Sequence, residues 1–586
     1  MRMIRPLLLA AALALPAVAA QAEGVGHRRG APSELSQDQR AAYRQVLSAI
    51  RASDWLGAAA KLATMDEGPL HAALTAELYL AKGSPKVELP QLLALIQRAP
   101  YLPKADQLAR LAASRGATDL PTLPQAQKLV WQGSQPRRAR APATKGDQAA
   151  QELDQLIQPL IVENRPAEAE AIYQEREGQL GAEARTEFQQ RLGWSYDIVG
   201  SDRDALRLAQ QAKNGTGEWS VQGAWTAGLA AWRLHECKVA AEAFAAVAAR
   251  ATDLELNAAG NYWAGRAEMS CAHPERVQPR LKAAARLKET FYGMLAATAL
   301  GIRAPGYAGL HDYRDAEWRG IANKPNVRAA IAFAEIGEED MAEQFIRHEA
   351  RIGGASDHNA LLHLAADMNL ASAQYWLAHN APRGTSVNVA ARYPRPDWKP
   401  VRGWRVDPSL AYAHALQESK FETGVVSPAG AVGLMQVRPG TAGDIARKRG
   451  DAFDRSMLTN PAVNIEYGQS YIEQLRDSGT TGGLLPKVIA AYNAGPAPVA
   501  EWNARAFDRG DPLLFIESIP YWETRGYVPI VLRNYWIYEQ EAGKTSATRA
   551  ALAQGMWPRF PGMPGAAAVR MQPQQPTLSY GSRGTE

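Results

Sequence analysis

The chain has 586 residues, 46% hydrophobic and 21% charged, a globular composition that excludes disorder as the dominant state. Lysine and arginine exceed aspartate and glutamate by a net +5, too mild over this length to mark a nucleic-acid binder without a local patch, though suited to an acidic polymer. At about 150 residues per domain the length corresponds to roughly four units, or fewer if part of the chain is a repeat array.

The N-terminus reads as an export signal. Arg2 and Arg5 are followed by an unbroken apolar run over residues 7–15, then Pro16 and the small-x-small sequence Ala20-Gln21-Ala22. The run falls short of the about 20 residues needed to span a bilayer, so residues 1–22 are expected to be removed and the mature chain to be periplasmic. No cysteine near the cleavage site offers a lipid anchor. Two cysteines occur, Cys237 and Cys271. Their 34-residue spacing matches one helical-hairpin repeat, and in an oxidising compartment they are either a disulfide or two buried thiols. Neither has the neighbours of a metal site, and no metal or cofactor is expected.

From about residue 35 to 380 the texture is short helices and turns with almost no strand-like alternation. Trp194, Trp225 and Trp263 recur at loose intervals, near Gly193, Gly228 and Gly265. This is the wandering period of stacked helical hairpins, in which the tryptophans are core. Residues 133–148, with Arg137, Arg138, Arg140 and Lys145 among prolines and glycines, read as a basic, mobile loop. A proline-, arginine- and glycine-rich stretch at 381–404 is the best domain boundary, and the glycine-, proline- and glutamine-rich residues 544–586 read as a disordered tail.

Between Val406 and Asn534 the chain becomes dense in motifs. Asp407-Pro408 opens a helix whose run 410–416 is apolar except for His414. Glu418 follows near its end, where desolvation and the negative helix terminus raise a carboxyl pKa, as a general acid for glycosidic cleavage requires. Alone, a glutamate beside Lys420 reads as a solvated helix end. The sequence 427–436, ending in Gly433-Leu434-Met435-Gln436, offers small residues that admit a polymer and an amide suited to an N-acetyl group. Ala491-Tyr492-Asn493-Ala494-Gly495 closes a helix with a tyrosine and an asparagine at its mouth. Residues 517–528 supply aromatics that can stack on sugar rings, with Glu523 among them.

These four blocks, in this order over about 120 residues, resemble the soluble lytic murein transglycosylases, which carry a goose-lysozyme-like catalytic domain. Phe291-Tyr292-Gly293-Met294-Leu295-Ala296 is similar to that family's linker. The resemblance implies a mostly α protein: an α-superhelical arm at 23–290, a helical linker domain at 291–390 and a lysozyme-like α (α+β) catalytic domain at 391–543. It implies non-hydrolytic cleavage of the β-1,4 bond between N-acetylmuramic acid and N-acetylglucosamine in peptidoglycan glycan strands, leaving 1,6-anhydro ends. Glu418 would be the single catalytic acid and then base. Ser427, Met435 and Gln436 would bind the muramoyl side, Tyr492 would hydrogen-bond the catalytic carboxyl or an intermediate, and Asn493 and Glu523 would line the groove. One carboxylate suffices where the substrate's own acetamido group stabilises the oxocarbenium-like centre. Glu422 is the rival second carboxylate, and Arg438, where the family often carries methionine, is a departure beside the scissile bond. The competing expectations are a hydrolytic muramidase of the same fold and a non-enzymatic peptidoglycan-binding scaffold. No nucleic-acid partner and no membrane span are expected, and the sequence names no protein partner.

Overall fold

The computed structural model describes residues 31–303, 315–506 and 508–572. The expected export signal and the last fourteen residues of the expected tail lie outside them. The described residues form 27 α-helices and four very short strands, so the protein is mostly α. The chain divides into two compact units.

The first unit joins residues up to 126 with 318–352. Five helices, from Gln37–Arg51 to Ala105–Ser114, are followed in this unit by Pro325–Glu335 and Glu339–Ile352. Ser36 and Gln39 form a reciprocal capping box at the first helix. The buried carboxylate of Glu335 accepts from the backbone N–H of Glu34 (2.8 Å) and Leu35 (3.2 Å) and from Arg40 Nε (3.0 Å). Residues 34–40 are thereby tied to a helix about 300 residues later in sequence.

The second unit contains the hairpin run and the motif-dense region. Successive helices from Gln148–Val162 to Phe291–Ala299 bury alanine-rich faces against one another. Gly228 shows why small residues sit beside the tryptophans: a Cβ there would come within 2.5 Å of the Phe244 ring. Trp263 is fully buried, with Trp225, Trp232 and Phe244 ring centroids 5.5–6.4 Å away. Cys237, which opens the helix Cys237–Arg250, is bonded to Cys271, the cap of Leu254–Ser270, with a Cα–Cα distance of 5.5 Å. Strand Leu129–Trp131 pairs antiparallel with Asn380–Pro382, Val130 opposite Ala381.

Two expectations are corrected here. Residues 133–147 lack regular structure and Gln148 opens a helix, but the stretch is pinned rather than loose. Arg138 makes two hydrogen bonds to Glu517 (2.7 and 2.8 Å) and lies 4.4 Å over the Trp225 ring. Arg533 donates to the Pro136 carbonyl, Trp219 Nε1 to the Pro142 carbonyl (2.8 Å), and the Thr144 amide to Glu187 (2.7 Å). The tail is also folded as far as Gln572. Ser546 caps a helix at Ala547–Ala553, and Leu552, Trp557 and Phe560 are buried. Trp557 Nε1 donates to the Gly510 carbonyl (2.8 Å), and the Phe560 amide donates to Gly483 (2.7 Å). A few well-spaced apolar anchors outweigh a composition rich in glycine and proline.

Candidate active site

The helix Pro408–Ser419 is capped by Asp407, whose carboxylate accepts from the Ser409 amide (2.9 Å), with proline at its favoured first position. Its C-terminal end is unusual. Lys420 and Phe421 both take left-handed backbone conformations, φ 54° and 67°, costly for residues with a Cβ. The Ser419 hydroxyl holds this turn, donating to Ala415 (3.1 Å) and accepting from the Phe421 amide (3.1 Å). The Phe421 ring, 1% exposed, packs near Trp398 and Tyr412. The reversal takes the chain away just after Glu418.

Glu418 is half-buried, and its Oε1 accepts a hydrogen bond from the Tyr527 hydroxyl (2.5 Å). Desolvation raises its pKa to about 7; the nearby Glu523 adds to the rise and the Tyr527 hydrogen bond opposes it. The carboxyl is therefore poised between acid and base near neutral pH. One turn earlier, His414 is fully buried, its Nδ1 bonded to the Leu410 carbonyl (2.9 Å). Burial lowers its pKa to about 4, so it brings no cation beneath Glu418. Its ring packs against Tyr492 (4.7 Å) and Tyr527 (6.2 Å). Both phenols are held neutral, since burial and the Glu418 carboxyl raise their pKa well above the usual value.

The structure gathers Tyr492, Asn493 and Glu523 around Glu418, in a different bonding scheme from the expected one. Tyr492 donates to the Met435 carbonyl (2.7 Å) and Tyr527 takes the glutamate. Met435 is fully buried, its side chain filling the space left by Gly468, where a Cβ would lie 2.4 Å from its sulfur. It therefore offers no side-chain surface to a ligand; its backbone oxygen positions Tyr492. Gln436 directs its amide nitrogen to the carbonyls of Gly433 (2.9 Å) and Val425 (3.3 Å), and Ser427 accepts from the Ala431 amide (3.0 Å). Asn493 accepts from Thr524 (2.6 Å) and lies 3.4 Å from Glu523 Oε1, joining two motif blocks. Glu422 and Arg438 are exposed.

Sequence reasoning missed Asn464. Fully buried in the helix Pro461–Arg476, it accepts from the Met435 amide (2.8 Å) and donates to the carbonyls of Val432 (2.9 Å) and Leu458 (2.7 Å). One side chain thus fixes the loop that presents Gln436 and the Tyr492 acceptor. A lone asparagine among polar helix residues gives no signal for this. Tyr527 was visible as part of a motif, but which of two phenols faces the carboxyl depends on the fold. Among the described residues no group of three or more His, Cys, Asp or Glu side chains converges as for a metal ion.

The sequence profile of the Transglycosylase SLT domain matches residues 399–515. A soluble lytic murein transglycosylase of Salmonella typhimurium is 38% identical over 149 residues, 25% of this chain and 23% of that protein. Its counterpart from Escherichia coli K12 is 40% identical over 155 residues, 26% of this chain and 24% of that protein. The matched stretch thus spans about a quarter of these relatives. In fold the likeness extends further. The 70 kDa soluble lytic transglycosylase of E. coli aligns over 89% of this chain and 99% of its own, with TM-score 0.52 and 18% identity. An inactive mutant of the lytic transglycosylase Slt from Pseudomonas aeruginosa aligns over 86% and 87%, with TM-score 0.51 and 21% identity. Residues 399–515 are therefore similar to the transglycosylase SLT domain, and the chain shares its fold with the soluble lytic transglycosylases.

Proposed function

We propose that the protein is a lytic transglycosylase acting on peptidoglycan glycan strands at the β-1,4 bond between N-acetylmuramic acid and N-acetylglucosamine. The observation that carries this reading is Glu418, a single enclosed carboxyl with a pKa of about 7, oriented by Tyr527. In its acid form Glu418 protonates the glycosidic oxygen as the C1–O bond breaks. The acetamido group of the muramoyl residue shares the positive charge that develops at C1. Glu418, now a carboxylate, takes the proton of the same sugar's C6 hydroxyl as that oxygen bonds to C1. The proton account closes without water, and a 1,6-anhydro end results.

Tyr527 and Tyr492 supply fixed neutral dipoles around this proton shuttle, and the loop held by Asn464 borders the cleft through Gln436. Ser427, Gln436, Asn493 and Glu523 are assigned to saccharide contacts. The domain division expected from the sequence, with catalysis at 391–543, belongs to the same reading, extended to the packed residues up to 572. The mature enzyme works in the periplasm after export, on the strength of the N-terminal sequence.

The decisive experiment is mass spectrometry of material released from purified peptidoglycan by the mature protein and by Glu418→Gln. Anhydromuramoyl ends from the wild type, reduced at least a thousandfold in the variant, are expected. Reducing ends would make the protein a hydrolytic muramidase. Binding without release by either form would make it a scaffold.

A further inference from the structure

All fifteen tryptophans lie in described residues, and Trp131 alone is exposed, at 51%. Its backbone is fixed. Trp131 faces Asn380 at the end of the ladder that Leu129–Trp131 forms with Asn380–Pro382. The amide of Gln132, just before the basic strap of residues 133–148, donates to the His379 carbonyl (2.8 Å). Its side chain is fixed as well. The indole stacks on the His379 ring, with 5.1 Å between centroids and 28° between planes, and His379 lies 4.1 Å from the Tyr375 ring. His379 and Tyr375 are buried, so three rings run outward from the interior and end in an indole whose outer side meets solvent. The Trp131 Nε1, unlike those of Trp219, Trp536 and Trp557, donates to no group among the described residues.

The charges around these rings are cationic, while His379 itself is neutral. Burial lowers its pKa to about 4, the hydrogen bond from Nδ1 to the Tyr375 carbonyl (2.8 Å) opposes this, and Arg392 and Lys420 push it down further. Arg392 is engaged by Glu289 (3.6 Å) and by the Gln132 carbonyl (3.2 Å). Lys420 is exposed, and among the described residues no carboxylate oxygen lies within 4.0 Å of it. Because Lys420 is two residues past Glu418, the rings stand at the same end of the helix Pro408–Ser419 as the catalytic carboxyl.

An indole held flat, backed by a neutral ring and open on its outer side, suits the C–H face of a pyranose. Such a face packs on the negative face of an aromatic ring, while the sugar hydroxyls accept from its N–H. A protein partner fits less well. Val130 is the one other large apolar side chain exposed on this strand, at 39%, and the two fall far short of the about 800 Å² that each side of a stable protein interface buries. We propose that Trp131 is a saccharide platform outside the catalytic cleft, on which a sugar further along the strand that Glu418 cuts is stacked, with Lys420 beside its path. This inference rests on the proposed function. Strands long enough to reach both points gain a second hold, and short ones do not.

The test compares kcat and KM on long peptide-free glycan strands and on the shortest oligomer of the same repeat that the wild type cleaves. The proteins are the wild type, Trp131→Ala and Trp131→Tyr, with thermal melting to verify that each folds. Trp131→Ala is expected to raise KM on long strands about tenfold, with kcat and both constants on the short oligomer unchanged. Trp131→Tyr, which keeps a flat ring, is expected to restore most of the loss. A rise in KM on both substrates, or a fall in kcat, would assign Trp131 to packing and overturn the proposal. A wild-type dimer that dissociates in Trp131→Ala on sedimentation would make the indole a contact between copies and overturn it too. Unchanged kinetics on both substrates overturn it as well and leave the proposed function standing. A wild type inert on every glycan length removes the proposed function, and this inference with it.

Discussion

The chemistry of Glu418 is set by three neighbours with opposed effects: an apolar enclosure, the Glu523 carboxylate and the Tyr527 hydroxyl. The first step of the proposed reaction needs the protonated form, so the rate should fall as pH rises through about 7, as a pH–rate profile on purified glycan will show. Tyr527→Phe removes a hydrogen bond that favours the charged carboxylate. The descending limb should therefore move to higher pH while the maximal rate drops by roughly ten- to a hundredfold. The raised pKa also costs stability. The folded state holds a proton that the unfolded state has released between about pH 4.5 and 7, so stability declines across that window. Glu418→Gln escapes the decline. Its melting temperature should exceed the wild type's at pH 8 and match it at pH 4, and equal melting temperatures at both would show an ordinary, solvated glutamate.

At the scale of elements, the site depends on two irregular turns. The left-handed pair Lys420 and Phe421 ends the glutamate helix, and burial of the Phe421 ring offsets the strain. Lys420→Gly relieves part of it and should stabilise the protein by about 0.5–1 kcal/mol in denaturant titrations. The loop 425–437 stands on Asn464. Gly433, φ 75°, has no room for a side chain: a Cβ would lie 2.4 Å from both Asn464 Nδ2 and the Leu458 carbonyl. Gly433→Ala should cost several kcal/mol by combining an unfavourable φ with disruption of a buried amide, and should abolish activity even where folding survives. The motif blocks were legible in sequence because each is a contiguous turn with its own glycine or proline stop. Their mutual bonding was not legible: Tyr492, the expected partner of the carboxyl, is taken by the Met435 carbonyl, and Tyr527 donates to Glu418 instead.

For the molecule as a whole, helical texture and repeat-like tryptophan spacing were enough to indicate stacked hairpins. The basic strap and the C-terminal segment were misread for a common reason. Their anchors are single residues whose partners lie far away in sequence: Glu517 is 379 positions from Arg138, and the Gly510 carbonyl 47 positions from Trp557. Composition averages such anchors away. The Cys237–Cys271 bond closes a 34-residue loop between two adjacent helices, and in the chain-entropy account it contributes about 3–4 kcal/mol. Reduction, or Cys271→Ser, should raise hydrogen exchange in the helices Cys237–Arg250 and Leu254–Ser270 before it affects the glutamate helix.

The reach of the Tyr527 hydrogen bond gives the site an order of completion. Glu418 is translated 109 residues before its partner, whose helix Trp522–Glu541 packs among residues as late as Thr548, Trp557 and Phe560. A chain ending at residue 515, where the family profile stops, lacks both Tyr527 and Glu523, and so lacks the hydrogen bond and the neighbouring carboxylate that act on Glu418. In the proposed enzyme the acid is therefore complete only once the segment that carries Tyr527 has folded against it.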